Sequence, residues 1–165
     1  MSVASLETKS LRLVPQTREQ VRASLAQMPA EQKAEVSPAW LARLDGSGPI
    51  DPWIHGFLIE HRETGSEIGR CGFKGPPDSE GAVEIAYGIN VEHQSKGYAT
   101  EAAGALATYA FDHDEVRTVR AHTLPQANAS TRVLTKCSFR NVGEVIDPDD
   151  GLVWRWERCR SGEPV

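Results

Sequence analysis

Seven consecutive residues, Gln94-Ser95-Lys96-Gly97-Tyr98-Ala99-Thr100, hold one lysine, one glycine and no acid. Before them Val83, Ile85, Tyr87 and Ile89 alternate with other residues at the period of a strand. After them Ala99, Ala102, Ala103, Leu106 and Ala110 recur at helical spacing. A strand that passes into a helix through such a loop turns several backbone N–H groups toward one point. The helix dipole adds positive potential there, which suits a phosphate. The Walker loop and the three-glycine dinucleotide loop are both absent. Glu84 is a lone carboxylate in the apolar run of the strand. Burying it alone is costly, so it stands at a wet cleft or in an ion pair, for instance with Arg70 or Arg120. Cys71, Cys137 and Cys159 lack metal-ligand spacing, and His93, His113 and His122 fall in no Ser-His-Asp or metal pattern. No metal is expected.

The pattern Gln94-x-x-Gly97-x-Ala99 resembles the loop with which the GNAT N-acetyltransferase superfamily holds the pyrophosphate of acetyl-CoA. Leu6-x-Thr8-x-x-Leu11-Arg12-Leu13 is similar to the opening strand of the branch that acetylates ribosomal-protein N-termini. Asn128-Ala129-Ser130-x-Arg132-Val133-Leu134-x-Lys136-x-x-Phe139 is similar to that branch's second cofactor segment. The three segments occur in the family's order and cover nearly the whole chain.

The resemblance implies a GNAT fold: an α+β domain with a mostly antiparallel twisted sheet of six or seven strands, helices on both faces and a splayed central strand. It implies acetyl-CoA as cosubstrate, with direct attack by a primary amine, either a protein N-terminus or a small molecule. Acetylation of an antibiotic- or polyamine-type amine and a non-catalytic CoA sensor are the rivals. Such an amine must lose a proton, since its ordinary pKa lies between about 8 and 10.4. The resemblance makes Glu84 the base, the ion pair being its alternative. Cofactor contacts would come from Gln94, Ser95, Lys96, Gly97, Tyr98, Ala99 and Thr100, and from the splayed stretch Ile89, Asn90 and Val91. Gly88 marks either a bulge or the start of that splay, where free backbone groups would pair with pantetheine and supply an oxyanion donor. Asn128 is an N-cap, a CoA contact, or both. Many relatives carry a proton-donating tyrosine where this chain has Leu134; Ser130 is then the candidate partner for the sulfur, or else an ordinary first-turn serine. Ser138 replaces a usual glycine before Phe139. His122 falls beside the expected thioester position.

The chain's 165 residues suit one domain, read as 1–165 with its core at 6–160. A net charge of −5 argues against nucleic acid or an anionic membrane as partner. With three cysteines and neither an apolar leader nor a spanning segment, the expectation is a cytoplasmic protein, monomeric or homodimeric.

In order, the pattern predicts a strand at Leu6–Pro15 and helices at Arg18–Met28 and Ala30–Leu44. A mobile loop at Asp45–Pro52 and strands at Trp53–His61 and Glu67–Lys74 follow. After the central strand and helix come a strand at Val116–Thr123, a helix from Asn128 to Cys137, and a closing hairpin, Phe139–Ile146 with Leu152–Cys159, about the turn Pro148-Asp149-Asp150-Gly151. Trp40, Trp53, Glu31, Glu35, Asp45 and Asp51 surround the insertion before the second strand and suggest an entrance for a cationic amine.

Overall fold

A computed structural model describes residues 4–148 and 150–160. Among them eight strands form one sheet in the order β1-β2-β3-β4-β5-β6-β8-β7. These are β1 Leu6–Glu7, β2 Leu11–Pro15, β3 Phe57–His61, β4 Glu67–Phe73, β5 Ala82–Ile89, β6 Thr118–Thr123, β7 Arg140–Asp147 and β8 Gly151–Cys159. Every neighbouring pair is antiparallel except β5 with β6. The helices are α1 Arg18–Gln27, α2 Ala30–Ala34, α3 Pro38–Asp45, α4 Pro52–His55, α5 Tyr98–Phe111 and α6 Ala129–Lys136. The expected turn Pro148-Asp149-Asp150-Gly151 includes Asp149, which lies outside the described residues.

The count exceeds the expected six or seven because Leu6–Pro15 folds back on itself. Thr8 donates its amide to the Leu11 carbonyl, and Leu6 then pairs with Leu13. Trp53 does not begin a strand. Asp51 caps a helical turn by accepting from the Trp53 amide, and Pro52 at the first helical position supplies the required φ. Trp53 packs edge-on against Phe73, Tyr109 and His113. The loop expected to be mobile is instead tied down: Arg18 donates to the carbonyls of Pro49 and Ser47, and Ile50 bridges to Thr17.

One face of the sheet carries the core. Val83 and Ile85 of β5 join Phe57, Ile59, Ile68 and Phe73 against Ala102, Ala103, Leu106 and Ala110 of α5. The small side chains of α5 let it approach the sheet closely; five of its residues are buried. The opposite face holds Glu84, Ala86 and Gly88. There Ser24 of α1 accepts from Arg70, and Arg43 of α3 donates to the Lys74 carbonyl, so helices cover both faces.

Between β5 and β6 the parallel register runs only through Ala82, Val83 and Glu84. The splay therefore begins at Ile85, earlier than the Gly88–Val91 expected, and β5 itself stays straight against β4 through Ile89. Gly69 makes this possible, because a Cβ there would run into the Gly88 carbonyl.

Candidate active site

The splay exposes one edge of β5. Lys74 donates its amide to the Glu84 carbonyl, and Asn90 donates to the Ile68 carbonyl at 2.8 Å, both in the β4–β5 register. Even-numbered residues thus pair with β4, and by alternation the main-chain groups of Tyr87 and Ile89 turn toward the gap. The Asn90 amide, one of the expected oxyanion donors, is committed to β4. The Ile89 carbonyl accepts from Gln94 Nε2 at 2.9 Å.

Beyond Ile89 a 3₁₀ turn, Val91–His93, leads into the loop. Ser95 and Gly97 both adopt left-handed backbone, with φ of 65° and 83°. Gly97 is the N-cap of α5, and no side chain caps that helix among the described residues. A Cβ built on Gly97 meets nothing within 4 Å, so the space over the helix terminus is open. Glu101, in the first turn, faces away to the β1–β2 turn, where Thr8 Oγ1 and the Ser10 amide donate to it.

This terminus borders a cavity of about 510 Å³ between α5 and α6. Ile89, Gln94, Ser95, Gly97, Tyr98, Ala99, Thr100 and Ser130 line it. Of the other expected cofactor residues, Lys96 and Asn128 lie outside the lining, Asn90 faces the second cavity, and Val91 is 82% exposed and lines neither. Asn128 caps α6: its Oδ1 accepts from the Thr131 amide at 3.0 Å, and Thr131 Oγ1 in turn accepts from the Asn128 amide. Arg132 and Lys136 bring two cations to the same cavity. They sit one helical turn apart, a spacing that was readable within the α6 segment.

A second cavity, about 590 Å³, opens on the other side of β5 beside Trp40, Arg70, Gly72 and Ala86. The two share Tyr87, Gly88 and Ile89. Gly88 has no atom within 4 Å of a would-be Cβ, so the junction stays open. Tyr87, read from sequence only as a packing residue, is the side chain bearing an O–H group at that junction. Burial pushes its pKa up to about 12.

Glu84 lies outside both linings, two residues before Ala86 on the same face. Its side chain is 18% exposed. Neither expected partner holds it: Arg70 pairs with Glu67, and Arg120 with Glu157 at 2.9 Å. Instead Glu84 Oε2 meets Lys74 Nζ at 2.9 Å and His122 Nδ1 at 3.1 Å. Burial works against the Lys74 charge, but hydrogen bonds and attraction from Glu84 and Asp150 outweigh it and raise its pKa.

Glu84, His122 and Asp147 approach closely enough to suggest a cation site. The hydrogen bonding speaks against that use. Arg155 Nε donates to His122 Nε2 at 3.1 Å, so a neutral imidazole carries its proton on Nδ1, the atom facing both carboxylates. Lys74 already occupies the same Glu84 oxygen.

Asp45 and Asp51 do not form an entrance. Asp45 pairs with Arg22 on the surface, and Asp51 caps α4. Trp40 does border the second cavity, its indole N–H held by the Ile54 carbonyl. His55, also in that lining, belongs to a satisfied buried chain. Its Nδ1 accepts from the Asp51 amide, its Nε2 donates to Ser47 Oγ, and Ser47 donates to the Leu44 carbonyl.

The family model described as acetyltransferase (GNAT) domain matches residues 7–140. The uncharacterized N-acetyltransferase YjdG of Bacillus subtilis (strain 168) is 31% identical over 99 residues, covering 60% of this chain and 56% of YjdG. The chain spans about half the length of the curated relatives it matches. Among solved structures, ribosomal-protein-S5-alanine acetyltransferase from Vibrio fischeri superposes with a TM-score of 0.68 at 15% identity, over 98% of this chain and all of the other. AAC(6')-Ib in complex with ribostamycin and coenzyme A gives 0.64 at 18% identity, over 92% and 94%. At these identities both likenesses are of fold. Among the described residues no helix is long and apolar enough to cross a membrane.

Proposed function

The chain belongs to the GNAT acetyltransferase domain family, and from that premise we propose that it transfers the acetyl group of acetyl-CoA to a primary amine. The observation that carries the reading is the meeting of two cavities at Tyr87-Gly88-Ile89, one of them bounded by the uncapped N-terminus of α5. The pyrophosphate belongs over the loop amides between Ser95 and Thr100, with Arg132 and Lys136 at the cavity's other wall. Pantetheine belongs along the free edge of β5, displacing Gln94 Nε2 from the Ile89 carbonyl. The amine comes from the Trp40–Arg70 side.

An amine attacking at the junction needs its proton removed; Glu67 lines the acceptor cavity but pairs with Arg70, and we assign the role of base to Glu84, two residues before Ala86 on the same face. From Glu84 to Gly88 is four strand residues, about 13 Å along the backbone, so the proton travels through water. Lys74 holds one Glu84 oxygen and leaves the other for that water. The oxyanion of the tetrahedral state is met by the Tyr87 or Ile89 amide at the gap.

The solved neighbours include a ribosomal-protein acetyltransferase and an aminoglycoside acetyltransferase, and both kinds of acceptor carry a primary amine. The test is a panel of N-terminal peptides and small amines with acetyl-CoA, reading free thiol. Thiol release that depends on one acceptor class supports the proposal. Tight acetyl-CoA binding with no release from any amine favours a CoA sensor instead.

A further inference from the structure

We propose that Gln16 is a specificity-determining residue of the second cavity, its side-chain amide receiving an uncharged polar group at the far end of the amine. This role rests on the acetyltransferase reading and names the acceptor class: a primary amine carrying a carboxamide or hydroxyl well away from the reacting nitrogen.

A row of residues crosses the sheet from the end of β2 to β5. The Gln16 amide donates to the Gly56 carbonyl at 3.0 Å, and Gly56 lies so close to Gly72 that a Cβ on either would strike the neighbouring main chain. Gly72 in turn pairs with Ala86 of β5. All four residues line the cavity. Two glycines and an alanine thus leave a trough without long side chains between Gln16 and the strand that borders the junction. Three strand spacings, about 14 Å, separate Gln16 from Ala86. The charged side chains of the lining, Glu67 and Arg70, stand on β4, with Arg70 opposite Gly88 at the junction end.

Gln16 is 6% exposed, yet its side-chain amide makes no hydrogen bond among the described residues. Nor is that amide sealed in the core. Among the described residues the fully enclosed polar side-chain atoms without a hydrogen-bond partner are Arg18 Nε and His122 Nδ1. The amide therefore opens on the cavity it lines. Its neighbours at that end are committed elsewhere: the Trp40 indole N–H to the Ile54 carbonyl, and the two His55 nitrogens to the Asp51 amide and Ser47 Oγ.

Charge decides which group the amide receives. Burial keeps His55 neutral, and the charges that act on it, Asp51 and Arg18, are opposite in sign. Asp51 accepts from the Trp53 amide and Arg18 donates to the Ser47 carbonyl, so neither is a free counter-ion. A carboxylate or ammonium arriving beside Gln16 would shed water and gain no counter-charge. A carboxamide or hydroxyl exchanges its water for an amide that both donates and accepts. A ligand without such a group leaves the Gln16 amide buried and unpaired, which is the costlier outcome.

The experiment uses straight-chain primary amines of increasing length that end in a carboxamide, a methyl or a carboxylate, with acetyl-CoA and free thiol as the readout. At one length the wild type should favour the carboxamide over both others by about tenfold in kcat/KM, the effect of one hydrogen bond to a buried partner. Gln16→Leu should cut the carboxamide-to-methyl ratio by about tenfold, mainly through the amine KM. An unchanged ratio in Gln16→Leu overturns the proposal. So does a wild type that takes the carboxamide no better than the methyl at any length, or that accepts other amines and none of this series; these two arms need no variant to fold. If no amine releases thiol, the acetyltransferase reading fails and takes the proposal with it.

Discussion

Thr8 and Glu101, 93 positions apart in sequence, meet at 2.6 Å, with Thr8 Oγ1 donating to Glu101 Oε1. Ser10 adds its amide to the same oxygen at 2.8 Å. The first turn of α5, which borders the cavity between α5 and α6, is thus pinned to the β1–β2 turn at the far side of the sheet. Burial raises the Glu101 carboxyl pKa, but the donors from Thr8 and Ser10 outweigh it, and the net shift is downward. A carboxylate whose folded pKa lies below its unfolded one contributes stability above the unfolded value, near 4.3, and loses it as pH falls. Thr8→Val should cost about 1.5 kcal/mol in urea unfolding at neutral pH, and less in acid. An equal loss at both pH values would show that the hydrogen bond is not its source.

Gly97 stands at positive φ with open space above it. A β-branched residue is strained there and its branches enter that space. Gly97→Val should weaken acetyl-CoA binding at least tenfold by calorimetry, a result that unchanged affinity would contradict.

Glu84→Gln keeps the shape and removes the proton acceptor. With an accepted amine, turnover should fall about 10²-fold at neutral pH. The deficit should narrow as pH rises and free amine accumulates. Wild-type turnover with an unaltered pH profile would leave Glu84 only its ion pair with Lys74.

His55 is held neutral by burial, which lowers its pKa against the smaller opposing pull of Asp51. Protonation would force Nδ1 to give up the Asp51 amide it accepts from. The unfolded chain takes this proton first, so the stabilisation is complete above about pH 6.5 and declines below it. Urea midpoints of wild type should therefore drop between about pH 7.5 and 5.5, while those of His55→Gln should change less. Parallel curves would place the acid sensitivity elsewhere.

The strand, loop and helix around Gln94–Thr100 were legible because periods of two and 3.6 residues are local. So was the cap at Asn128, which needs only three positions. The turn at Pro52–His55 was missed because Trp53 reads as a strand residue, while the Asp51–Pro52 pair that overrides it looks like loop. Glu84 was found as an isolated charge, but its partners lie on β4 and β6, and only the register brings Lys74 and His122 to it. Tyr87 read as core, correctly for its ring. Its place where the two cavities meet depends on the splay from β6, which no local pattern shows.

The short parallel pairing of β5 with β6 has a mechanical meaning. Strands β1 to β5 form one antiparallel plate and β6, β8 and β7 another, and three residues on each side, Ala82–Glu84 and Thr118–Arg120, are their main-chain seam. On the open face Glu84 of one plate lies 3.1 Å from His122 of the other, while on the helical side Cys137 Sγ donates to the Thr100 carbonyl at 3.3 Å. A molecule lying in the gap with hydrogen bonds to β5 would add rungs where the seam has run out. Amide exchange at Ala82–Glu84 and Thr118–Arg120 should then slow on CoA binding, although none of those residues lines the cavity between α5 and α6.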